Sequence, residues 1–340
     1  MGRDRITISS PEDGGTSPAD INTPGKSTLI TVLRWFLFVL VVSMLVAYFV
    51  RHLHEFTFIL TIKLRYLIPA AMLKFLGLTI AALRFHLIVT FVSHKIPFLT
   101  AFRYFVVGQF LPHGGNVYRA VMLKKSDDIS YRKYLSVLLS FKWINLAFTA
   151  LLGTLIIGVL APDMCMGKIS ALWLFASIFL ILLSVIPLFR LAGKYLPTNP
   201  QTRGPFRVRT IVSRVLESTA VTIKNRPLLL KCFFFIFSNK CISIVTLYLL
   251  FRSIGTVCSL PALVIYMVIL DLSGVITITP SNIGIREFLL GYLTLSMGIT
   301  VAQGITVSIM LRMIKFTVQG TLSALLILTD RGKSRGSVDG

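Results

Sequence analysis

The residues Pro112-His113-Gly114-Gly115-Asn116-Val117-Tyr118-Arg119 interrupt an apolar part of the chain, and a looser copy stands at Pro280-Ser281-Asn282-Ile283-Gly284-Ile285-Arg286-Glu287. In each copy Pro and Gly end an apolar run, a polar residue able to cap a helix follows, and an Arg comes early in the next helix. One copy alone is compatible with an ordinary turn. Paired breaks in the two halves of an apolar chain are instead typical of a transporter's binding site.

Composition indicates a membrane protein. Hydrophobic residues make up 55% of the 340 and charged residues only 14%, and the mean hydropathy is +0.80. Apolar runs long enough to cross about 30 Å of hydrocarbon recur along the chain. Much of the formal charge of +22 falls in short loops between these runs, where it gives a topology signal and contacts anionic lipid head groups. We therefore expect an all-α polytopic membrane protein with no nucleic-acid partner.

The apolar pattern predicts about six full transmembrane helices and two re-entrant Pro/Gly-broken hairpins. Residues 1–28 are predicted to be a disordered tail, 29–329 a single membrane domain, and 330–340 a C-terminal tail. Halves at about 66–160 and 228–328 are joined by a basic loop at 190–226. The predicted full spans are 29–50, 66–84, 135–160, 170–189, 228–251 and 301–328, and the hairpin helices are 96–111 with 117–125 and 260–279 with 283–297.

Basic residues predict the orientation. The loop 190–226 holds eight of them against the single acid Glu217, so we expect it and both termini to be cytoplasmic, in the inner membrane of a cell envelope. Part of this loop, at about 206–222, could lie on the membrane as a basic helix or form a solvated linker. The first hairpin would then open to the cytoplasm and the second to the exterior, as in an inverted repeat. A basic cluster at 51–65, in a loop expected outside, does not fit this scheme.

Charged residues within the apolar segments point to an anionic ligand. A cation at mid-membrane costs about 2.5–3.5 kcal/mol, so an excess of cations beside two helix N-termini favours a bound anion such as a phosphate head group. Arg suits this role because its planar fork binds phosphate oxygens in pairs. Lys74 and Lys315 are expected to extend toward the membrane surface. The embedded residues are Lys74, Arg119, Lys142, Lys240, Arg286, Arg312 and Lys315 against Asp271 and Glu287.

The candidate substrate-binding residues combine these cations with the two breaks. Asn116 and either Ser281 or Asn282 are the predicted helix caps, and the glycines would let a ligand approach the backbone. Glu287 could pair with Arg286 or Arg119 when no ligand is bound, or accept from an amine on the substrate. Two roles are open for Arg119 and for Arg286. Each could contact the ligand, or each could pair with another group of the protein. The full set is Arg119, Arg286, Glu287, Asn116, Gly114, Gly115, His113, Ser281, Asn282, Lys142, Lys240 and Arg312.

Two other functional classes remain open. The five histidines and few acids form no HExxH motif, no paired carboxylates and no Ser/His/Asp set, which leaves only His113 as an acid–base candidate. We therefore expect no enzyme, cofactor or metal site. A non-transporting membrane partner of an envelope glycosyltransferase or polysaccharide system is the main alternative, and the chain could form a homodimer. Cys165 and Cys258 both fall in loops expected outside, where a disulfide could form.

Both breaks resemble motifs of the lysylphosphatidylglycerol synthase transmembrane, or flippase-like, family of bacteria and archaea. Gly108-Gln109 through Arg119 resembles its Gly-Gln...Pro...Gly-Gly-Asp-x-x-Arg motif, and Pro280 through Glu287 resembles Pro-x-x-x-Gly-x-Arg-Glu. The resemblance covers about 29–329 and implies a lipid flippase fold with two re-entrant helices and a substrate cavity. It places Arg119, Arg286 and Glu287 at motif positions.

Two residues depart from the family pattern. Asn116 stands where the family usually has Asp, and Asn282 replaces a Gly. The soluble aminoacyl-transferase domain of the two-domain members is absent from this sequence, so the resemblance implies no lysyl transfer. It leaves open whether the anionic lipid is a phospholipid, an aminoacyl-phospholipid or a polyprenyl-linked intermediate.

Overall fold

The computed structural model describes residues 61–92, 96–111, 114–127, 129, 131–166, 169–195, 225–274, 284–295 and 298–335, with eight further positions between 36 and 51. Those eight positions are helical and exposed. The predicted span 29–50 and the basic loop 190–226 lie mostly outside the described residues. The predicted surface helix 206–222 lies wholly outside them, as do both predicted tails apart from the helical stretch 330–335.

Helices dominate the described part of the chain, and one short pair of strands joins two of them. The strands β1 (Cys165–Met166) and β2 (Ile169–Ser170) are antiparallel, with Cys165 opposite Ser170. The helices are α1 (Leu64–Val92), α2 (Phe98–Phe110), α3 (Gly115–Asp127), α4 (Tyr131–Leu160), α5 (Ala171–Tyr195), α6 (Arg226–Ser253), α7 (Leu260–Ser273), α8 (Ile285–Leu295) and α9 (Val301–Arg335).

Local sequence accounts for several of these helix ends. The Asn225 side chain accepts a hydrogen bond from the Leu228 N–H at 3.2 Å, and Pro227 follows in the first turn of α6, where its missing N–H costs nothing. Thr300 and Gln303 cap the start of α9 reciprocally, each side chain accepting from the other's backbone N–H at 3.3 Å. This is the capping-box arrangement.

Four helices are long and apolar enough to cross a membrane. They cover Leu64–Phe91, Tyr134–Leu160, Arg226–Ser253 and Val301–Leu328, and two shorter apolar helices cover Ala171–Ser184 and Leu260–Ser273. Large apolar side chains such as those of Met72, Phe234 and Met313 point outward from three of these helices, as expected of surfaces that face lipid. The prediction of an all-α polytopic membrane protein is confirmed for the fold class.

The core of the second half surrounds α7. All eight residues at 262–269 are buried, which is characteristic of a helix enclosed on every side. The Tyr266 hydroxyl donates to the Gly304 carbonyl in α9 at 2.9 Å, and its ring meets that of Phe251 edge-on with centroids 5.4 Å apart. Helix α7 is thereby fixed to both α6 and α9.

Helices of the two halves pack in a reciprocal way. The first described helix of each half, α1 and α6, run along each other as the most extensive helix pair in the described residues. The last helix of each half packs against the first hairpin helix of the other half, α4 on α7 and α9 on α2. Glycines lie at both contacts, with Gly153 against Val268 and Gly320 against Phe110.

The thiols of Cys165 and Cys258 are both free, so the structure does not contain the disulfide that their loop positions allowed. Cys258 is buried in the loop between α6 and α7. Burial raises the pKa of the Cys258 thiol to about 12, because the apolar surroundings disfavour the thiolate. It behaves as a small apolar core residue.

Candidate functional site

The first break joins two short helices that touch through their backbones. Helices α2 and α3 have 13 residues each, about 20 Å at the rise of an α-helix and too short to cross the hydrocarbon alone. A Cβ placed on Gly115 would lie 1.8 Å from the Gly108 carbonyl oxygen. The close approach therefore requires glycine at position 115. Pro112 and His113 lie outside the described residues.

Arg119 fastens α3 to α2. Its side chain is buried at 5% exposure; Nη2 donates to the Phe105 carbonyl at 2.9 Å and Nη1 to the Asn116 side-chain oxygen at 3.5 Å. The guanidinium also lies over the rings of Phe105 and Phe85, 4.6 and 5.5 Å from their centroids. These contacts favour structural pairing for this Arg.

The prediction that Asn116 caps α3 is wrong. The helix begins one residue earlier, at Gly115, and the Tyr118 N–H already donates to the Gly114 carbonyl at 2.7 Å. Asn116 is exposed and directs its side-chain oxygen toward Arg119. The backbone contact at Gly115 draws that residue into the helix, so the polar residue after it falls in the first turn.

The second break is organised by Glu287, the third residue of α8. Its side chain is 5% exposed. One carboxylate oxygen accepts from the Gly284 N–H at 2.7 Å and the other lies 2.8 Å from Arg312 Nη2 on α9. Gly284 has a φ of +85°, a left-handed conformation that favours glycine. The predicted caps Ser281 and Asn282 lie outside the described residues.

Arg286 neighbours this pair and is less completely satisfied. Its side chain is partly exposed, and its buried Nε has no hydrogen-bond partner among the described residues. It lies within electrostatic range of Arg312, Lys74 and Lys315 as well as of Glu287. The second break thus gathers several cations around one carboxylate.

A cavity of about 150 Å³ opens between α1, α2, α6 and α9. Two amines line it, and no carboxylate of the described residues does. Lys315 is exposed, so the cavity opens to its surroundings on the α9 side. Its polar lining residues are Lys74, Gln109, Asn239, Ser243, Lys315 and Gln319.

Sequence reasoning missed the importance of Lys74 and Lys315. Both were expected to extend to the membrane surface, whereas the structure places both on the cavity wall. The position of Lys315 could have been predicted in part from helical periodicity, because Lys315 lies one turn after Arg312 and therefore on the same face of the helix. Gln109 and Gln319 are further lining residues that the motif positions did not identify.

Lys240 belongs to a separate ion pair. Its buried amine contacts the Asp271 carboxylate of α7, and Thr149 of α4 donates to the same carboxylate oxygen at 3.4 Å. This pair links three helices and compensates the buried charge of Lys240. Nearby, Arg84 of α1 donates to the Asn145 side chain of α4 at 3.2 Å.

The predicted site residues therefore separate into distinct groups. Arg286, Glu287 and Arg312 lie together beside the cavity, Arg119 and Asn116 lie in the first hairpin with Gly114 and Gly115, and Lys240 pairs with Asp271. Lys142 is exposed on α4. Within the described part of the chain, no group of three His, Cys, Asp or Glu residues could hold a metal ion.

A family model matches most of this chain. No curated protein and no solved structure matches the chain. The family model described as Lysylphosphatidylglycerol synthase TM region matches residues 35–323, a range that includes both breaks and the cavity-lining residues. The chain therefore belongs to the lysylphosphatidylglycerol synthase TM region family.

Proposed function

We propose that this protein is a flippase-like transporter that moves an anionic or phosphate-bearing lipid between the leaflets of a membrane. The observation that carries the proposal is the interhelical cavity, whose described lining includes Lys74 and Lys315 and no carboxylate. Cations within apolar spans are costly unless a counter-charge is supplied. An anionic head group entering the cavity would supply it, while the acyl or prenyl chains remain in lipid.

The helix arrangement supports a transport cycle. The hairpin helices α2, α3, α7 and α8 have 13, 13, 14 and 11 residues, shorter than the hydrocarbon thickness. Each hairpin packs on the last helix of the opposite half, so a movement of one half would alter the environment of the other. In the proposed cycle the first hairpin opens to the cytoplasm and the second to the exterior.

The same proposal places the protein in the inner membrane of a cell envelope with both termini in the cytoplasm, and gives it no enzymatic role. Membership in the family of the synthase's TM region supports a role in handling lipid. Transport of an anionic lipid would explain the cations that line the cavity, and it requires no catalytic residues.

Reconstituted vesicles test this function. Purified protein is placed in liposomes that contain fluorescent phosphatidylglycerol, phosphatidic acid or a prenyl diphosphate, and movement to the outer leaflet is followed by quenching of the label. We expect the wild type to accelerate movement of at least one of these lipids, and we expect Lys74→Gln, Lys315→Gln and Arg286→Ala to slow it at least tenfold. Lys231→Gln removes an exposed cation of α6 and should match the wild type.

A negative result would favour the second candidate function. If none of these anionic lipids moves faster than in protein-free vesicles, while the purified protein binds an envelope glycosyltransferase, the transport proposal is wrong. The protein would then be a non-transporting membrane partner.

A further inference from the structure

The surroundings of the cavity carry more positive charge than a single phosphodiester can balance. Lys74 of α1 and Lys315 of α9 line the cavity. Arg312 lies one turn before Lys315 on α9, and therefore on the same face. Arg286 is the second residue of α8, which packs along α9. Four cations from three helices thus lie around one region.

Only one carboxylate of the described residues is placed to offset these four cations. Glu287 lies 2.8 Å from Arg312, and this contact compensates one charge. No described acid lies within ion-pair distance of Lys74, Lys315 or Arg286. Among the described residues, an excess of three positive charges therefore remains around the cavity.

The charge of the head group decides how well a lipid meets this excess. A phosphodiester such as the one in phosphatidylglycerol carries a single negative charge. A terminal phosphate monoester carries about −1.5 to −2 at neutral pH, and a diphosphate carries more. A ligand with its charge concentrated at one end balances the cavity better than a monoanionic diester.

The size and neutral lining of the cavity agree with a compact head group. A volume of about 150 Å³ holds about five water molecules at the roughly 30 Å³ that each occupies in the liquid, which is enough for a phosphate or diphosphate group. Gln319 is 6% exposed, and its side-chain oxygen has no hydrogen-bond partner in the described residues. Rotation of this amide would let it donate to, or accept from, a ligand in the cavity.

We propose that the cavity selects lipids whose head group ends in a phosphate monoester or diphosphate over lipids with a monoanionic phosphodiester. This inference rests on the proposed function for the statement that a lipid occupies the cavity. The shared chemistry is a terminal phosphate with two or more negative charges on a hydrophobic chain.

Binding to the purified full-length protein in a non-ionic detergent tests the selection. The probes are dihexanoyl phosphatidic acid, geranylgeranyl diphosphate, dihexanoyl phosphatidylglycerol and inorganic pyrophosphate, titrated calorimetrically. We expect the phosphatidic acid and the prenyl diphosphate to bind at least tenfold more tightly than the phosphatidylglycerol, a difference of about 1.4 kcal/mol. Equal affinities, within threefold, would overturn the inference.

Charge variants show whether the cavity is responsible. Lys74→Gln and Lys315→Gln should each reduce the preference at least threefold, and Lys231→Gln should retain it. A preference that is unchanged in both cavity variants would also overturn the inference. Melting temperatures measured alongside confirm that each variant is folded, and the two independent lysines keep the test decisive if one variant fails to fold.

The remaining measurements distinguish a lipid ligand from a free phosphate compound. Inorganic pyrophosphate should bind more weakly than geranylgeranyl diphosphate because it lacks the chain; equal affinity would overturn the assignment to a lipid. Selective binding without transport in vesicles would leave this inference standing and contradict the flippase proposal. Transport of phosphatidylglycerol without any binding preference would support the flippase proposal and contradict this inference.

Discussion

The Glu287 carboxylate holds two parts of the molecule with its two oxygens. One oxygen accepts from the Gly284 N–H at the start of α8, and the other lies against Arg312 of α9. The first contact needs only an acceptor, which Gln can also provide at this helix position. The second needs a negative charge, because the Arg312 side chain is only 15% exposed and faces this carboxylate.

Two substitutions at Glu287 separate these roles. Glu287→Gln keeps the acceptor for Gly284 and removes the charge, whereas Glu287→Ala removes both. We expect Ala to lower the free energy of unfolding by about 3 kcal/mol and Gln by about half as much. Thermal unfolding of the purified protein in detergent measures the difference, and Glu287→Ala combined with Arg312→Met should recover part of the loss. Identical melting temperatures for the Gln and Ala variants would show that the cap contributes nothing.

Sequence motifs identified individual charged residues but did not supply all of their partners. Arg286 and Glu287 stand out because they follow a Pro/Gly break, yet the contact with Arg312 depends on how α9 packs against α8. The position of Lys74 and Lys315 on the cavity wall was not predicted, for a physical reason. A long Lys side chain within an apolar helix has the same sequence signature whether it reaches the head groups or turns into a cavity.

Among the structural elements, the first hairpin depends on contact between two helix backbones. The Gly115 position faces the Gly108 carbonyl so closely that a Cβ would stand 1.8 Å from its oxygen. Gly108 is also confined, since its own Cβ would lie 2.6 Å from Arg119 Nε. The crossing of α2 and α3 therefore leaves no space for a methyl group at either glycine.

A matched pair of alanine substitutions tests this crossing. Gly115→Ala should force the helices apart and lower the free energy of unfolding by about 1–3 kcal/mol or more. Gly114→Ala, one residue earlier, meets nothing within 4 Å and should stay within about 0.5 kcal/mol of the wild type. Unfolding followed by helical circular dichroism in detergent compares the two. Equal stability of the variants would contradict the close approach.

Helix positions followed from hydropathy because a lipid-facing helix must be apolar along its length. The predicted span 135–160 corresponds to Tyr131–Leu160, and 301–328 corresponds to Val301–Arg335. The prediction 260–279 corresponds to α7, Leu260–Ser273 with Gly274 as its C-cap, and its last residues, 275–279, lie outside the described part of the chain.

At the scale of the whole molecule, two contacts between helices distant in the described sequence stand out, α4 on α7 and α9 on α2. Gly153 of α4 would place a Cβ 3.1 Å from Val268 of α7, and Gly320 of α9 would place one 3.2 Å from the Phe110 ring of α2. Both contacts join a last helix to the opposite half's hairpin. Sequence spacing suggested that the two segments repeat each other. It did not show which helices pack together, because those contacts depend on the three-dimensional fold.

Cross-links at these two contacts test whether the hairpins move during transport. In a chain whose four cysteines are replaced, Gly153→Cys with Val268→Cys and Phe110→Cys with Gly320→Cys are joined by a short bifunctional thiol reagent. We expect either cross-link to reduce lipid movement in vesicles at least tenfold, because each hairpin must shift against its contact to exchange access. The unlinked double variants are the controls. Full transport after cross-linking would show that the linked hairpin does not move against that helix.

The Lys240–Asp271 pair has a consequence for how the protein is made. Lys240 precedes Asp271 by 31 residues, so α6 leaves the ribosome before the segment that carries its counter-ion. During that interval an embedded amine costs about 2.5–3.5 kcal/mol, and the cost disappears only when α7 docks beside it. The stable insertion of α6 therefore depends on α7, and the nascent chain reaches its final arrangement in the bilayer when α7 has packed against α6.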